Sequence, residues 1–362
     1  MNIGKFLIKE NNNLDFIRIV CASMVIIGHA YILNPSEGHI DLIEWLTGFT
    51  YSGSLAVELF FFISGILVTE SLLRKKSIVS FVISRLFRMI PGLLFVLLIT
   101  TFILGPLLTE IKAIEYFKNR STYTYLFTNI SLFKTDYLLP GVFIKNYYQN
   151  IVNGSLWSLK HEARYYFITL AIFITHRCLL KKVNISYVYN IVVLYIFMYT
   201  ILELIIAPSG KSLEFNLLPV SFASGSLLAV HKKHININYA IVSVFVLLTV
   251  VFWRTAINRF IFNISASLLV IVLAENKYIK KIKIKSDISY GIYLWGFFVQ
   301  QTIFHFVGCQ NTYIFIFESL SLSYIMGFLS FILVEKRFMS YGRKLDANLR
   351  KGERFNGLVN IL

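Results

Sequence analysis

Arg18 and His29 stand eleven residues apart in a largely apolar stretch, LDFIRIVCASMVIIGHAYIL at 14–33, with Arg18 near its start and His29 near its far end. At about 100° per residue a helix brings both onto nearly one face, with Ala22 and Val25 between them. From Phe16 to Leu33 the stretch is long enough, at about 1.5 Å per residue, to cross most of a hydrocarbon core of about 30 Å. An Arg near a membrane helix centre costs about 2.5–3.5 kcal/mol, so ionisable groups there normally face the bundle interior and have a task. The plain alternatives are an Arg18 that snorkels to a headgroup and a His29 that is a hydrogen-bonded core group. The chemical reading is a general base, because an imidazole of ordinary pKa about 6.5 can take the proton of an attacking hydroxyl.

Three further groups extend that reading. Glu58, in GSLAVELFFFISGILVTESLL, sits about one turn into the next apolar segment, and a short hairpin is expected to bring it level with His29 as a carboxylate that holds the ring and stabilises its protonated form. Arg85 and Arg88, three apart, share a helix face just before Met89, and Pro91 suits a helix start there. Paired guanidiniums offer bidentate donors to phosphate oxygens, although the same pair serves equally as a positive-inside anchor. The third group, NGSLWSLKHEARYYF at 153–167, gathers Trp157, Lys160, His161, Glu162 and Arg164 within two turns, with Glu162 and Tyr166 on one face. It reads as an acceptor-binding rim on the outer side.

The elements that must position these groups are membrane helices. With 56% hydrophobic and 15% charged residues, mean hydropathy +0.66, 33 Phe and 21 Tyr, the chain is too apolar for a soluble domain, in which about a quarter of residues are charged. Spans are expected at 14–33, 55–73, 89–108, 156–175, 187–206, 217–230, 237–253, 258–274, 288–307 and 313–334, an all-α bundle of about ten. With the N-terminus inside, 24 of the 35 Lys and Arg fall in inside segments, ten outside and Arg18 within a span. Both termini are therefore expected in the cytoplasm. The net charge of +16 reflects basic loops against anionic lipid, and nucleic acid is not an expected partner. Cys21, Cys178 and Cys309 show no metal-ligand spacing and read as small core residues, so neither a metal nor a disulfide is expected. The loop 109–155 is dense in aromatics, including Tyr116, Phe117, Tyr123, Tyr125, Phe127, Tyr137, Tyr147 and Tyr148. That density suits a sugar-stacking platform or an interfacial belt.

LDFIRIVCASMVIIGHA, AVELFFFISGILVTESL, SFVISRLFRMIPG and NGSLWSLKHEARYYF, in this order, with SDISYGIYLWGFFVQQ and LVEKRF near the end, resemble the acyltransferase-3 family of membrane acyltransferases over nearly the whole chain. The resemblance implies a bundle of about ten helices that moves an acyl group, usually acetyl, from cytoplasmic acyl-CoA to a glycan or lipid-linked sugar. Arg18 and His29 match the family's Arg and His pair, with His29 at the catalytic position, and Glu58 stands where Asp is commoner. Arg85 and Arg88 match its paired arginines, which puts them with Arg18 on the donor side. Glu162 matches the acid after Trp-Ser-Leu, while Lys160 and His161 depart from the small or apolar residues usual there. The expected organisation is one transmembrane domain over 1–344 and a short cytoplasmic tail over 345–362, without an appended soluble domain.

The leading function is thus an O-acetyltransferase of a multi-pass bacterial inner-membrane type, acting on lipopolysaccharide, capsule or exopolysaccharide, with acetyl-CoA as donor substrate and no permanently bound cofactor. A transporter or flippase of lipid-linked sugars and a structural subunit of a glycan-export complex are the competing classes. Transporters tend to show repeats and midplane polar groups in interrupted helices. Here no repeat is found, and the charges gather towards the two ends of the spans.

Overall fold

The fold, that of a computed structural model, is described for residues 2–36, 39–206, 213–284 and 286–356, with 213–216 and 351–356 described by backbone alone. Lys211 and Lys285, two of the loop charges, lie outside the described residues, as do 357–362 of the expected tail. A helix occurs at each of the ten expected segments. They are α1 (Leu14–Leu33), α2 (Ser52–Lys75), α3 (Ile78–Leu108), α4 (Trp157–Cys178), α5 (Ile185–Ile206), α6 (Leu213–Val230), α7 (Tyr239–Val251), α8 (Asn258–Glu275), α9 (Ser289–Val307) and α10 (Thr312–Ser330). A further helix, α11 (Lys336–Asn356), continues α10 through a π turn at Phe331–Glu335. Six of these helical stretches are long and apolar enough to cross a membrane, namely α1, α2, α3, α5, α8 and the run from α10 into α11. The other four fall short for readable reasons. The helices α6 and α7 have short apolar parts, α4 carries Lys160, Glu162, Arg164 and Arg177, and α9, which protein buries from Ser289 to Gln301, is made less apolar by Gln300, Gln301 and His305. A helix enclosed by protein needs no apolar face for lipid.

Local sequence sets the ends. Asn13 caps α1 by accepting from the Phe16 N–H, and its amide nitrogen donates to the carbonyls of Ile279 and Ile282 at 2.8 Å, which ties this end to the segment before α9. Residues 2–13, the α2–α3 turn, the α8–α9 connection and α11 lie at this end, the basic end of the bundle. At the opposite, loop end, Asn34 donates to the Gln310 carbonyl at 2.8 Å, and Asp41 accepts from the N–H groups of Ile43 and Ser52, both at 2.9 Å.

Close helix packing rests on small residues, as expected where lipid provides no hydrophobic drive between helices. Helices α2 and α6 touch backbone to backbone. A Cβ at Gly65 would strike the Phe222 carbonyl, and one at Gly225 the Phe62 carbonyl, while Thr69 donates to Ser226 at 2.9 Å. Gly28 of α1 lies against the Gly53 N–H of α2 and so fixes the register of that antiparallel pair.

Helix α3 differs from expectation. It begins at Ile78, not 89, and Pro91 sits in its interior. The first turns are held from outside, because Gly342 of α11 packs on Phe87, and Ser80 donates to Asp346, which also binds Lys75 and Arg350 at 3.3 Å. Near the proline, the Tyr290 hydroxyl donates to the Met89 carbonyl at 2.9 Å, which ties α9 to this part of α3. A π turn at Thr100–Leu104 follows, and there the Tyr116 hydroxyl donates to the Thr101 carbonyl at 2.8 Å.

The long loop is ordered by α9. Asn153 donates to the Leu294 carbonyl at 2.8 Å, and Gln301 donates to the carbonyls of Tyr148 and Ile151 at 2.7 Å. Tyr116 and Tyr125 are fully buried and are therefore core rather than stacking platform, whereas Tyr147, Tyr148 and Phe127 are exposed. Cys21 is buried as expected, but Cys178 and Cys309 are exposed, so they are not core residues. The boundary expected at residue 344 falls within α11.

Candidate active site

A cavity of about 610 Å³ penetrates the bundle from its basic end, between α1, α2, α3, α4, α9 and α11. Asp287, just before α9, organises its wall. Its carboxylate accepts from Arg18, from Arg88 at 2.8 Å and from the Ser289 N–H and hydroxyl at 3.1 and 2.5 Å. Burial by itself would raise the Asp287 pKa, but the two guanidiniums and the Ser289 donors outweigh it and hold the group down at about 2. Arg88 also lies over the Tyr290 ring, 5.5 Å from its centre, and 3.8 Å from the Glu335 carboxylate, which the π turn directs inward. Arg18 and Arg88, expected to serve the donor, are thus joined to each other through an acid that sequence reasoning missed.

Arg85 is placed differently. It lies over the Tyr166 ring at 5.5 Å, and the Tyr166 hydroxyl donates to Glu162. Glu162 therefore lines the same cavity as the arginines, not an outer rim as expected. The reason is helical spacing: Ser158, Glu162 and Tyr166 recur every four residues on the cavity face, while Trp157 and His161 pair on another face with rings 5.8 Å apart. Lys160 is half-buried. The structure separates Glu162 from Trp157 and His161 within one helix.

Towards the loop end the cavity is closed by Val57, Phe60, Ser158 and Tyr293. Tyr293 is pinned, donating to the Ser155 carbonyl at 2.8 Å with its oxygen 2.6 Å from the Ser158 hydroxyl, and its ring stands 6.0 Å from that of Phe60. One turn further along α9, Phe297 meets the His29 ring edge-on at 5.2 Å. His29 thus lies one helical pitch, roughly 5 Å, beyond the deepest cavity wall. It is 9% exposed, and its ring nitrogens make no hydrogen bond among the described residues.

Contrary to expectation, no hydrogen bond joins Glu58 to His29 among the described residues. Glu58 is buried on α2, and its Oε2 accepts from Asn263 of α8 at 2.5 Å; Asn263 donates at 2.8 Å to Ser221 of α6 as well. With Gly28 against Gly53, antiparallel counting sets Glu58 opposite Ser23, so the Cα atoms of Glu58 and His29 are about 9 Å apart along the axis rather than level. The cause is the hairpin, which contains the helix Leu42–Thr47 and lets α1 run on past the start of α2.

Comparison with known proteins supports a chemical reading of this arrangement. A family model described as an acyltransferase domain matches residues 11–334. An O-acetyl transferase of Shigella phage Sf6 is 28% identical over 91% of this chain and 97% of its own length. Nodulation protein 10 of Rhizobium leguminosarum bv. viciae is 34% identical over 23% of this chain and 22% of its own. No solved structure matches the chain.

Proposed function

Because the chain belongs to the acyltransferase-3 family of membrane acyltransferases, we propose that it is an O-acetyltransferase that takes acetyl from a coenzyme A thioester at the basic end of the bundle. The acceptor is a hydroxyl of a cell-surface glycan or lipid-linked sugar approaching from the loop end. The observation that carries the reading is a cavity with a cationic mouth that stops one helical turn short of a buried histidine, whose ring makes no hydrogen bond among the described residues. A thioester on a long, thin pantetheine arm suits such a passage.

In this reading the acceptor oxygen attacks the thioester carbonyl carbon, its proton passes to a His29 ring nitrogen, the carbon–sulfur bond breaks and coenzyme A leaves as a thiolate that is then protonated. A sugar hydroxyl is almost wholly protonated at neutral pH, so the attack needs that base. Glu58, buried on the facing helix, favours the imidazolium by its charge without orienting the ring. Trp157, Lys160 and His161, at the loop-end start of α4, are the acceptor-side residues. The membrane is the bacterial inner membrane, where acyl-CoA is available on the cytoplasmic face. The flippase reading draws no support from the comparisons.

The test is transfer from radiolabelled acetyl-CoA by purified protein, with mass and NMR analysis of the host's surface glycan. Wild-type protein is expected to add acetyl, and His29→Ala to lose about 10²–10⁴ in rate while keeping its membrane level. Transfer at the wild-type rate by His29→Ala would show that the histidine is only a core group. A burst of acetyl-enzyme without acceptor would instead identify covalent catalysis at the imidazole.

A further inference from the structure

The cations around the cavity mouth are not equivalent. Arg18 and Arg88 are engaged by Asp287, Lys75 is bound to Asp346 at 3.3 Å, and Lys9 lies 3.6 Å from Asp15. Arg85 has no acid partner among the described residues, only the Tyr166 ring and the Ser84 hydroxyl at 3.4 Å. Two more cations line the same mouth from α11, Lys336 and Arg343, and neither has an ion pair or a side-chain hydrogen bond among the described residues. They are seven residues apart, so two helical turns return both to one face. Both side chains are exposed at the edge of the face docked on α3. On it Met339 receives a hydrogen bond from Arg88 at 3.7 Å, Gly342 packs on Phe87, and Asp346 accepts from Ser80.

These contacts pair residue 88 with 339, 87 with 342 and 80 with 346, so α3 and α11 run antiparallel. Arg343 accordingly falls level with Ser84 and Arg85, while Lys336 lies about two turns deeper, level with Pro91 and close to the depth of Arg88.

We infer that the donor's phosphates are held by Arg85 together with Arg343 and Lys336 of α11, and that Arg18 and Arg88, tied together by the one carboxylate of Asp287, form a bracket that shapes the wall instead of binding phosphate. The assignment rests on the acyl-CoA reading above. A guanidinium already engaged by a buried carboxylate has fewer donors to offer, whereas one without an acid meets a phosphate at no such loss. The ligand chemistry is that of a nucleotide diphosphate joined to a thioester arm. The spread from Arg343 inward to Lys336 follows the direction the arm must take to reach Tyr293 and His29.

The test compares two donors on full-length protein, acetyl-CoA and S-acetylpantetheine, which keeps the thioester but lacks the diphosphate and the phosphorylated nucleoside. Lys336→Ala with Arg343→Ala is expected to raise KM for acetyl-CoA about tenfold or more with kcat little changed, as loss of charged hydrogen bonds equal in ground and transition states requires, and to leave KM for S-acetylpantetheine unchanged. Arg337→Ala with Lys344→Ala, two cations off the docked face, should leave both values unchanged. An unaltered KM for acetyl-CoA in the first double variant overturns the assignment, and so does an equal rise for both donors, which would make α11 a packing element only. If wild-type protein uses neither donor, the acyl-CoA reading itself falls and takes this assignment with it.

Discussion

Asp287 gives the sharpest expectation at the scale of single residues. Replacing it by Asn leaves Arg18 and Arg88 buried without their shared counter-charge, and breaking a buried ion pair from one side commonly costs about 3–5 kcal/mol. Asp287→Asn should therefore lower the thermal midpoint of the purified protein and its membrane level, and unchanged unfolding would show that the bracket contributes little. The pH dependence has a definite sign. The folded pKa of about 2 is below the ordinary carboxylate value, so the stabilisation is fully present above about pH 4 and is lost as pH falls through 2. Between about pH 5 and 9 this group should contribute no pH dependence to unfolding. Arg18, His29, Glu58, Arg85 and Arg88 are visible in the sequence as ionisable groups in apolar surroundings and Glu162 as one of a polar cluster, yet their partners are not. A signal for Asp287 exists: two arginines in apolar helices demand an acid, and Asp287 stands at the start of an apolar segment two residues before Ser289. Nothing in one sequence says which acid two distant helices will share. The same limit hides Asn263, whose amide takes up Glu58.

At the scale of elements, α2 and α6 offer the clearest test of what holds the bundle together. Gly225→Ala puts a methyl group against the Phe62 carbonyl, and backbone cannot yield as a flexible side chain can. Overpacking of this kind typically costs about 1–3 kcal/mol, so the variant should unfold at lower temperature, and normal melting would mean that the two helices separate easily. Positions of helices are legible because apolar length is a strong signal, and each expected segment contains one. Their ends and faces are less so. Arg85, Arg88 and Pro91 look like a boundary that would start α3 at 89, but α11 holds the turns before the proline through Ser80 and Phe87. The cluster at 157–162 looks like one rim because its residues are adjacent, although 100° per residue sends Glu162 into the cavity and Trp157 with His161 elsewhere.

At the scale of the whole molecule, the mechanism depends on which side of the membrane the basic end faces. Acyl-CoA is a cytoplasmic metabolite, and the cavity opens where Lys75, Arg85 and Arg343 gather. The short loops are decisive because the positive-inside bias acts on them most strongly, and the 24 to 10 division of Lys and Arg favours the basic end inside. Reporter fusions at Lys76, Lys182 and Lys281 should accordingly read cytoplasmic, and fusions within 120–145 extracytoplasmic. Lys76 is the most informative of these sites, since it lies in the turn between α2 and α3, and Lys75 and Arg85 of those helices line the mouth. An external signal there would place the mouth, and with it Arg85, Lys336 and Arg343, away from the donor. His29 would then be reached by the wrong substrate from each side, and the proposed direction of transfer would have to be abandoned even if the enzyme proved to be an acetyltransferase.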